Sequence, residues 1–204
     1  MATQTRSTDL GRSPYRLTVR QVERMIEAGI IPEGDDVELV GGILFKMVKQ
    51  EPHNFAVGCL ADLLRRLIPD KYHIREEKSV RHGKKSLPEP DVVIAPGRAG
   101  VFRSSPPRTS ELPLIVEVCH HSRKADYQDK LRRYSSAGVP VYWVVDLHRR
   151  SVVVFMQPVR NGSYSERIEY AEGEEAPVIL KGAEIGRIAV ADLLPPTLPP
   201  DQLR

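Results

Sequence analysis

Two apolar runs constrain the fold of this chain most strongly. Leu114–Val118 (LIVEV) and Val141–Val145 (VYWVV) are near-continuous stretches of β-branched, aliphatic and aromatic residues. Such runs suit strands covered on both faces of a sheet. Between them lies a polar segment long enough for a helix, with short links at each end. Strand, helix and strand so connected form a crossover unit, which makes the two strands parallel. One residue breaks the first run: Glu117. An unpaired carboxylate buried in a strand is costly, so it needs partners or a task.

The remaining elements follow from periodicity and punctuation. Thr18 with Gln21 fits a capping box, and Val19, Val22, Met25 and Ile26 continue at helical spacing to Gly29. Val37–Val40 and Ile43–Val48 flank Gly41-Gly42, which predicts a hairpin with a primed turn. Alternation sets Glu38 opposite Val37 and Leu39, a solvent-facing position. Pro52 and His53 open a long helix through Ala56, Val57, Leu60, Leu63, Leu64, Leu67 and Ile68, stopped at Pro69-Asp70. Tyr72–Val80 reads as a strand, and Arg81–Ser86 (RHGKKS) as a basic turn. That turn is either a solvated tip or a phosphate-contacting loop.

Pro88-Glu89-Pro90 leads in extended form to a strand over Asp91–Ala95. Residues 96–110, rich in Gly, Pro, Ser and Arg, read as a mobile loop. Ser122 is a candidate N-cap for a helix from Arg123 to Ala137, closed by Gly138. Ser151–Met156 and Tyr164–Tyr170 form an antiparallel pair joined around Asn161-Gly162, and Ile185–Leu194 closes over the sheet. The fold class is therefore α/β of the α+β kind: a mixed central sheet flanked by helices. Residues 1–14 are expected to be a disordered tail, 15–194 one domain, and 195–204 a proline-rich extended tail.

At 41% hydrophobic and 28% charged, the chain has an apolar content too high for disorder through most of its length. The net charge of +3 permits nucleic-acid binding without demanding it. Positive residues nevertheless crowd into Lys78–Lys85 and Arg123–Arg133. Two unpatterned cysteines, Cys59 and Cys119, form no disulfide framework and suit a reducing cytoplasm. No apolar run approaches a membrane span, and the first residues lack the apolar stretch of a signal peptide.

Hydrolysis of a phosphodiester requires neutralised phosphate charge, an activated water and a stabilised leaving oxygen. Mg²⁺ or Mn²⁺ held by carboxylates supplies these. Asp91 and Glu117 meet at one point if their strands are neighbours. Lys130 on the following helix folds back to orient water or offset phosphate charge, and Asp126, one turn earlier, holds the lysine. The bland alternative is a surface Asp126–Lys130 pair, with Glu117 at a sheet edge and Asp91 ending a turn.

VELVGG (Val37–Gly42), PEPD (Pro88–Asp91), LIVEV (Leu114–Val118), the spaced Ser122, Asp126 and Lys130, and AGVPVYWVVD (Ala137–Asp146) together resemble the Uma2 family. These are endonucleases of the PD-(D/E)XK superfamily, also labelled a domain of unknown function. The resemblance runs from about Tyr15 to Leu194 and implies a restriction-endonuclease-like fold. It implies that Glu38, Asp91 and Glu117 hold metal, Glu38 being the extra N-terminal acid. Lys130 would be the lysine displaced from the position now filled by Cys119. His53 matches a histidine preceding the family's long helix. Asp126, His53 and Ser122 then support the site or bind substrate. The expected partner is nucleic acid, DNA before RNA, with a homodimer suited to cutting two strands.

Two other readings stay open: a catalytically silent nucleic-acid or protein-binding module on the same fold, and zinc binding by Cys119 with His120 and His121, the two histidines standing where relatives carry a serine followed by Pro or Asp.

Overall fold

The computed structural model describes residues 14–32, 34–47, 49–120 and 124–196. The chain opens with helix α1 (Val19–Glu27), then the hairpin β1 (Val37–Val40) and β2 (Ile43–Lys46), then the long helix α2 (Glu51–Leu67). Six strands follow: β3 (Tyr72–Glu76), β4 (Val92–Pro96), β5 (Leu114–Cys119), β6 (Val141–Asp146), β7 (Ser151–Val159) and β8 (Ser163–Ala171). They lie side by side in chain order as one mixed sheet. Only β5 and β6 run parallel, joined by the predicted helical crossover; the other neighbours are antiparallel.

Alternation along β5 and β6 sorts the core into two layers. Leu114, Val116, Val118, Val141, Trp143 and Val145 face the side covered by Ala56, Val57, Leu60 and Leu64 of α2. Ile115, Cys119, Tyr142 and Val144 face the other side, packed against Leu131 and Tyr134 of the crossover helix. Glu117 shares the parity of Ile115 and Cys119. It therefore points at the crossover helix, and its main-chain position buries it almost fully.

That crossover differs from a plain helix over Arg123–Ala137. Ala125–Lys130 is wound as π-helix and continues into α3 (Leu131–Ser136). The proposed cap Ser122, with Arg123, lies outside the described residues, as do residues 1–13 and 197–204 of the two tails.

Three further differences appear. The third strand stops at Glu76 rather than running to Val80, because Glu77 adopts φ of 47°. A backbone turned into the left-handed region cannot continue the ladder. Second, residues 175–189 form the hairpin β9 (Glu175–Leu180) and β10 (Ala183–Ala189), packed beside α2, where the sequence suggested only a closing segment over Ile185–Leu194. Its first strand carries Pro177 and little alternation, which conceals it. Third, Glu38 does not face solvent: it is 7% exposed. Both faces of β1 are covered. Leu39 packs with Val19 and Val22 of α1, while Glu38 turns toward Arg133 of α3.

The basic turn folds back rather than projecting. Val19 N donates to Lys84 O at 3.0 Å, and Gly42 N to Lys85 O at 2.7 Å, so the turn ties α1 to the β1–β2 hairpin. Among the described residues no helix is long and apolar enough to cross a membrane.

Candidate active site

The sheet register sets the frame. Glu76 pairs with Val92, and Val92 with Val116. Extending both pairings by one residue places Glu77, Asp91 and Glu117 next to one another, one acid from each of three adjacent chain segments. The hydrogen bond from Glu77 N to Asp91 O, 2.9 Å, continues the first pairing past the end of β3.

Glu117 is 1% exposed and fully engaged. Its Oε2 accepts from Lys130 Nζ at 2.7 Å and its Oε1 from Tyr134 OH at 2.6 Å. Lys130 Nζ also stands 3.0 Å from Asp126 Oδ1. Asp126, Lys130 and Tyr134 recur every fourth residue, so they form one stripe facing the sheet. Tyr142 OH donates to the Asp126 carbonyl at 2.9 Å, fastening the π-wound turn to β6.

The charges here do not cancel. Burial drives the Glu117 carboxyl upward. Lys130 pulls it down, but Asp91 and Asp126 push it up again, and it ends at about 8. Burial opposes the charge on Lys130, yet Glu117, Asp126 and Asp91 outweigh it and hold the ammonium well above its usual range. The pocket thus holds more negative charge than one ammonium offsets.

Asp91 is held differently. Its Oδ2 accepts from the backbone N of Val118 at 2.6 Å, and His53 Nε2 lies 3.1 Å from its Oδ1. Burial would raise the Asp91 pKa, but the His53 hydrogen bond, the charges of Lys130 and His53 and the Val118 N–H together depress it. His53 shows the reverse. Burial disfavours its charge, while Asp91 and Glu77 outweigh that effect and lift its pKa above 6.5. His53 reaches this point because α2 begins beside the start of β4. Glu77, on the far side of Asp91, pairs with Lys49 at 3.2 Å.

Ligand atoms of His53, Glu77 and Asp91 all lie within 4.8 Å of one another, and among the described residues no other group of histidines, cysteines and acids does so. Cys119 and His120 therefore form no such cluster; Cys119 is buried and His120 stacks on His148 with ring centroids 5.1 Å apart. His121 and Ser122 lie outside the described residues. Glu38 sits 3.5 Å from Arg133, in a cleft of about 630 Å³ whose walls include Lys130, Arg132 and His82.

Sequence reasoning thus named Asp91, Glu117, Lys130, Asp126 and His53, which the fold brings to one end of the sheet. It missed Glu77 and Tyr134. The four-residue spacing from Lys130 was a signal for Tyr134; nothing local marked Glu77.

The donor set suits a hard divalent cation. Each carboxylate oxygen has two lone pairs, so the hydrogen bonds to Asp91 and Glu117 leave capacity for a metal. The 3.1 Å contact from His53 is a hydrogen bond that orients the Asp91 carboxylate. Burial is the main cause of the raised Glu117 pKa, and the neighbouring charges of Asp91 and Asp126 add to it.

Residues 19–191 match the Uma2 family, described as "Putative restriction endonuclease". A solved structure described as "a putative nuclease belonging to DUF820 from Anabaena variabilis ATCC 29413" is similar, with a TM-score of 0.65 and 15% sequence identity. The likeness covers 87% of this chain and 97% of that one, and it establishes the fold. No curated protein matches.

Proposed function

Taking as premise that this chain belongs to the Uma2 family, we propose that it is a metal-dependent endonuclease that hydrolyses phosphodiester bonds, DNA being its substrate. The observation that carries this is the alignment of Asp91 with Glu117 on neighbouring strands, with Lys130 on the second carboxylate at 2.7 Å. Asp91 and Glu117 would hold Mg²⁺ or Mn²⁺, with His53 and Glu77 at the outer side of Asp91 and Glu38 facing the cleft. The ion would supply charge neutralisation and a more acidic water.

The chain's own groups do the rest. Tyr134 and Lys130 lock the Glu117 side chain in one orientation. Lys130, with its pKa raised, remains an ammonium at neutral pH. It therefore orients water and offsets phosphate charge by donating hydrogen bonds, rather than acting as the base. Asp126 fixes where that ammonium points.

The test uses purified protein with labelled single- and double-stranded DNA and RNA, with Mg²⁺, Mn²⁺ or a chelator. Cleavage of DNA that needs the ion and is lost in Asp91→Asn, Glu117→Gln and Lys130→Met is the expected result. Binding of Mn²⁺, followed by its magnetic resonance signal, should fall in Asp91→Asn and Glu117→Gln. Cleavage of none of the four substrates, or cleavage unaffected by these variants, overturns the proposal.

A further inference from the structure

We infer that a bound nucleic-acid strand passes from the carboxylate site into a second, cationic cleft, where Arg20, Arg81, Lys84 and Arg108 hold its phosphates. This rests on the nuclease reading and extends it to the path of the substrate. The cleft, of about 860 Å³, lies between the start of α1, the turn at residues 81–84 and the segment at residues 108–110. Four cations line it and no carboxylate does.

The fold itself holds these cations together. Arg81 N donates to Pro107 O at 2.8 Å, and Thr109 N to Arg81 O at 3.0 Å, which staples Arg81 beside Arg108. The bond from Val19 N to Lys84 O sets Lys84 against the residue preceding Arg20. Only Arg81 has a carboxylate partner, Glu23; among the described residues, no ion pair involves Arg20, Lys84 or Arg108, and all three side chains are exposed. Gathering like charges without partners does not stabilise a fold. It does create a site for a polyanion.

Position gives the path its direction. His82 lines both this cleft and the one containing Lys130, Glu38 and Arg133, so the two lie side by side. His82 Nδ1 meets Thr109 Oγ1 at 3.1 Å on the shared wall. On the side of Glu77 the neighbouring cleft is instead lined by Asp35, Asp36, Glu76, Glu77 and Glu89 with Lys49 and Lys78, an excess of acid that repels phosphate. Apart from His82, no aromatic side chain lines the cationic cleft. It therefore follows the backbone instead of stacking bases, and its contacts are indifferent to sequence.

The experiment measures fluorescence anisotropy of labelled duplex and single-stranded DNA against salt, with chelator present so that no cleavage intervenes. The triple variant Arg20→Ala, Lys84→Ala, Arg108→Ala should bind at least tenfold more weakly. The slope of log affinity against log salt should shrink by roughly 0.9 per lost phosphate contact on duplex, about 0.7 on single strands. Arg66→Glu, exposed on α2 across the sheet, changes charge without touching the cleft and should retain wild-type binding. Wild-type affinity and slope in the triple variant overturn the path, even if metal-dependent cleavage persists. DNA binding that needs the three cations in a protein that cleaves nothing upholds the path and sinks the nuclease reading. Absence of any nucleic-acid binding by the wild type overturns the path.

Discussion

Glu117 is defined by what surrounds it. Its carboxyl is buried, and both oxygens are bonded to groups on one helix. The Tyr134 ring packs in the core while its hydroxyl orients Glu117, so removing the hydroxyl alone makes a clean probe. Tyr134→Phe leaves one buried oxygen without its donor, and should cost about 1–3 kcal/mol of stability. Urea unfolding measures that loss, and single-turnover cleavage should slow because Glu117 gains freedom; an unchanged unfolding midpoint would refute the bond's importance. His82 carries the pH prediction. Burial lowers its pKa, and Arg133 lowers it further. A histidine depressed in the fold stays neutral there, while the unfolded chain binds the proton first. Its contribution to stability is thus present above about 6.5 and lost as pH falls below that value. The stability of His82→Gln relative to the wild type should therefore improve between pH 7.5 and 5, and a constant difference across that range would contradict it. Asp91 and Glu117 were legible because acids in or beside apolar strands are anomalous. Glu77 was not, since the register of a strand that ends one residue earlier decides its place.

Among the elements, the β1–β2 hairpin carries the largest positional burden. It covers one side of the cleft with Glu38 and binds the basic turn through Gly42 and Lys85. Gly42 has φ of 87°, and a Cβ there would lie 2.6 Å from the Cβ of Arg16. Gly42→Ala is therefore strained and crowded at once, and should lose roughly 1–3 kcal/mol. Hydrogen exchange should show the amides of Leu17 and Gly42 losing protection first; uniform protection would exclude this. The turn itself was predictable from Gly41-Gly42. The burial of Glu38 was not, because alternation specifies that two faces differ and leaves open what covers each. The crossover helix teaches the same lesson. Its span and its Asp126–Lys130 spacing were readable, whereas its π winding, in which the Asp126 carbonyl accepts from Tyr142 of β6, was not.

At the scale of the molecule, the site exists because two layers meet at one end of the sheet. Lys130 and Tyr134 approach from one face, and His53 comes from α2 on the other. Leu60 of α2 is wholly buried against the sheet. Leu60→Ala should cost about 2–5 kcal/mol as a cavity opens beneath α2. Below its lowered melting temperature the variant should still bind metal, since Asp91 and Glu117 are held by the sheet. Loss of metal binding in a protein still folded by circular dichroism would show instead that the site depends on the exact seat of α2.

The sequence by itself determined most of the elements, the parallel pair and the candidate acids and lysine, because periodicity and anomalous charge are local signals. Tertiary structure alone decided that Glu77 joins the row, that Glu38 meets Arg133, and that four scattered cations share a cleft. Those outcomes rest on register and on packing between segments distant in the chain, and no local pattern encodes either.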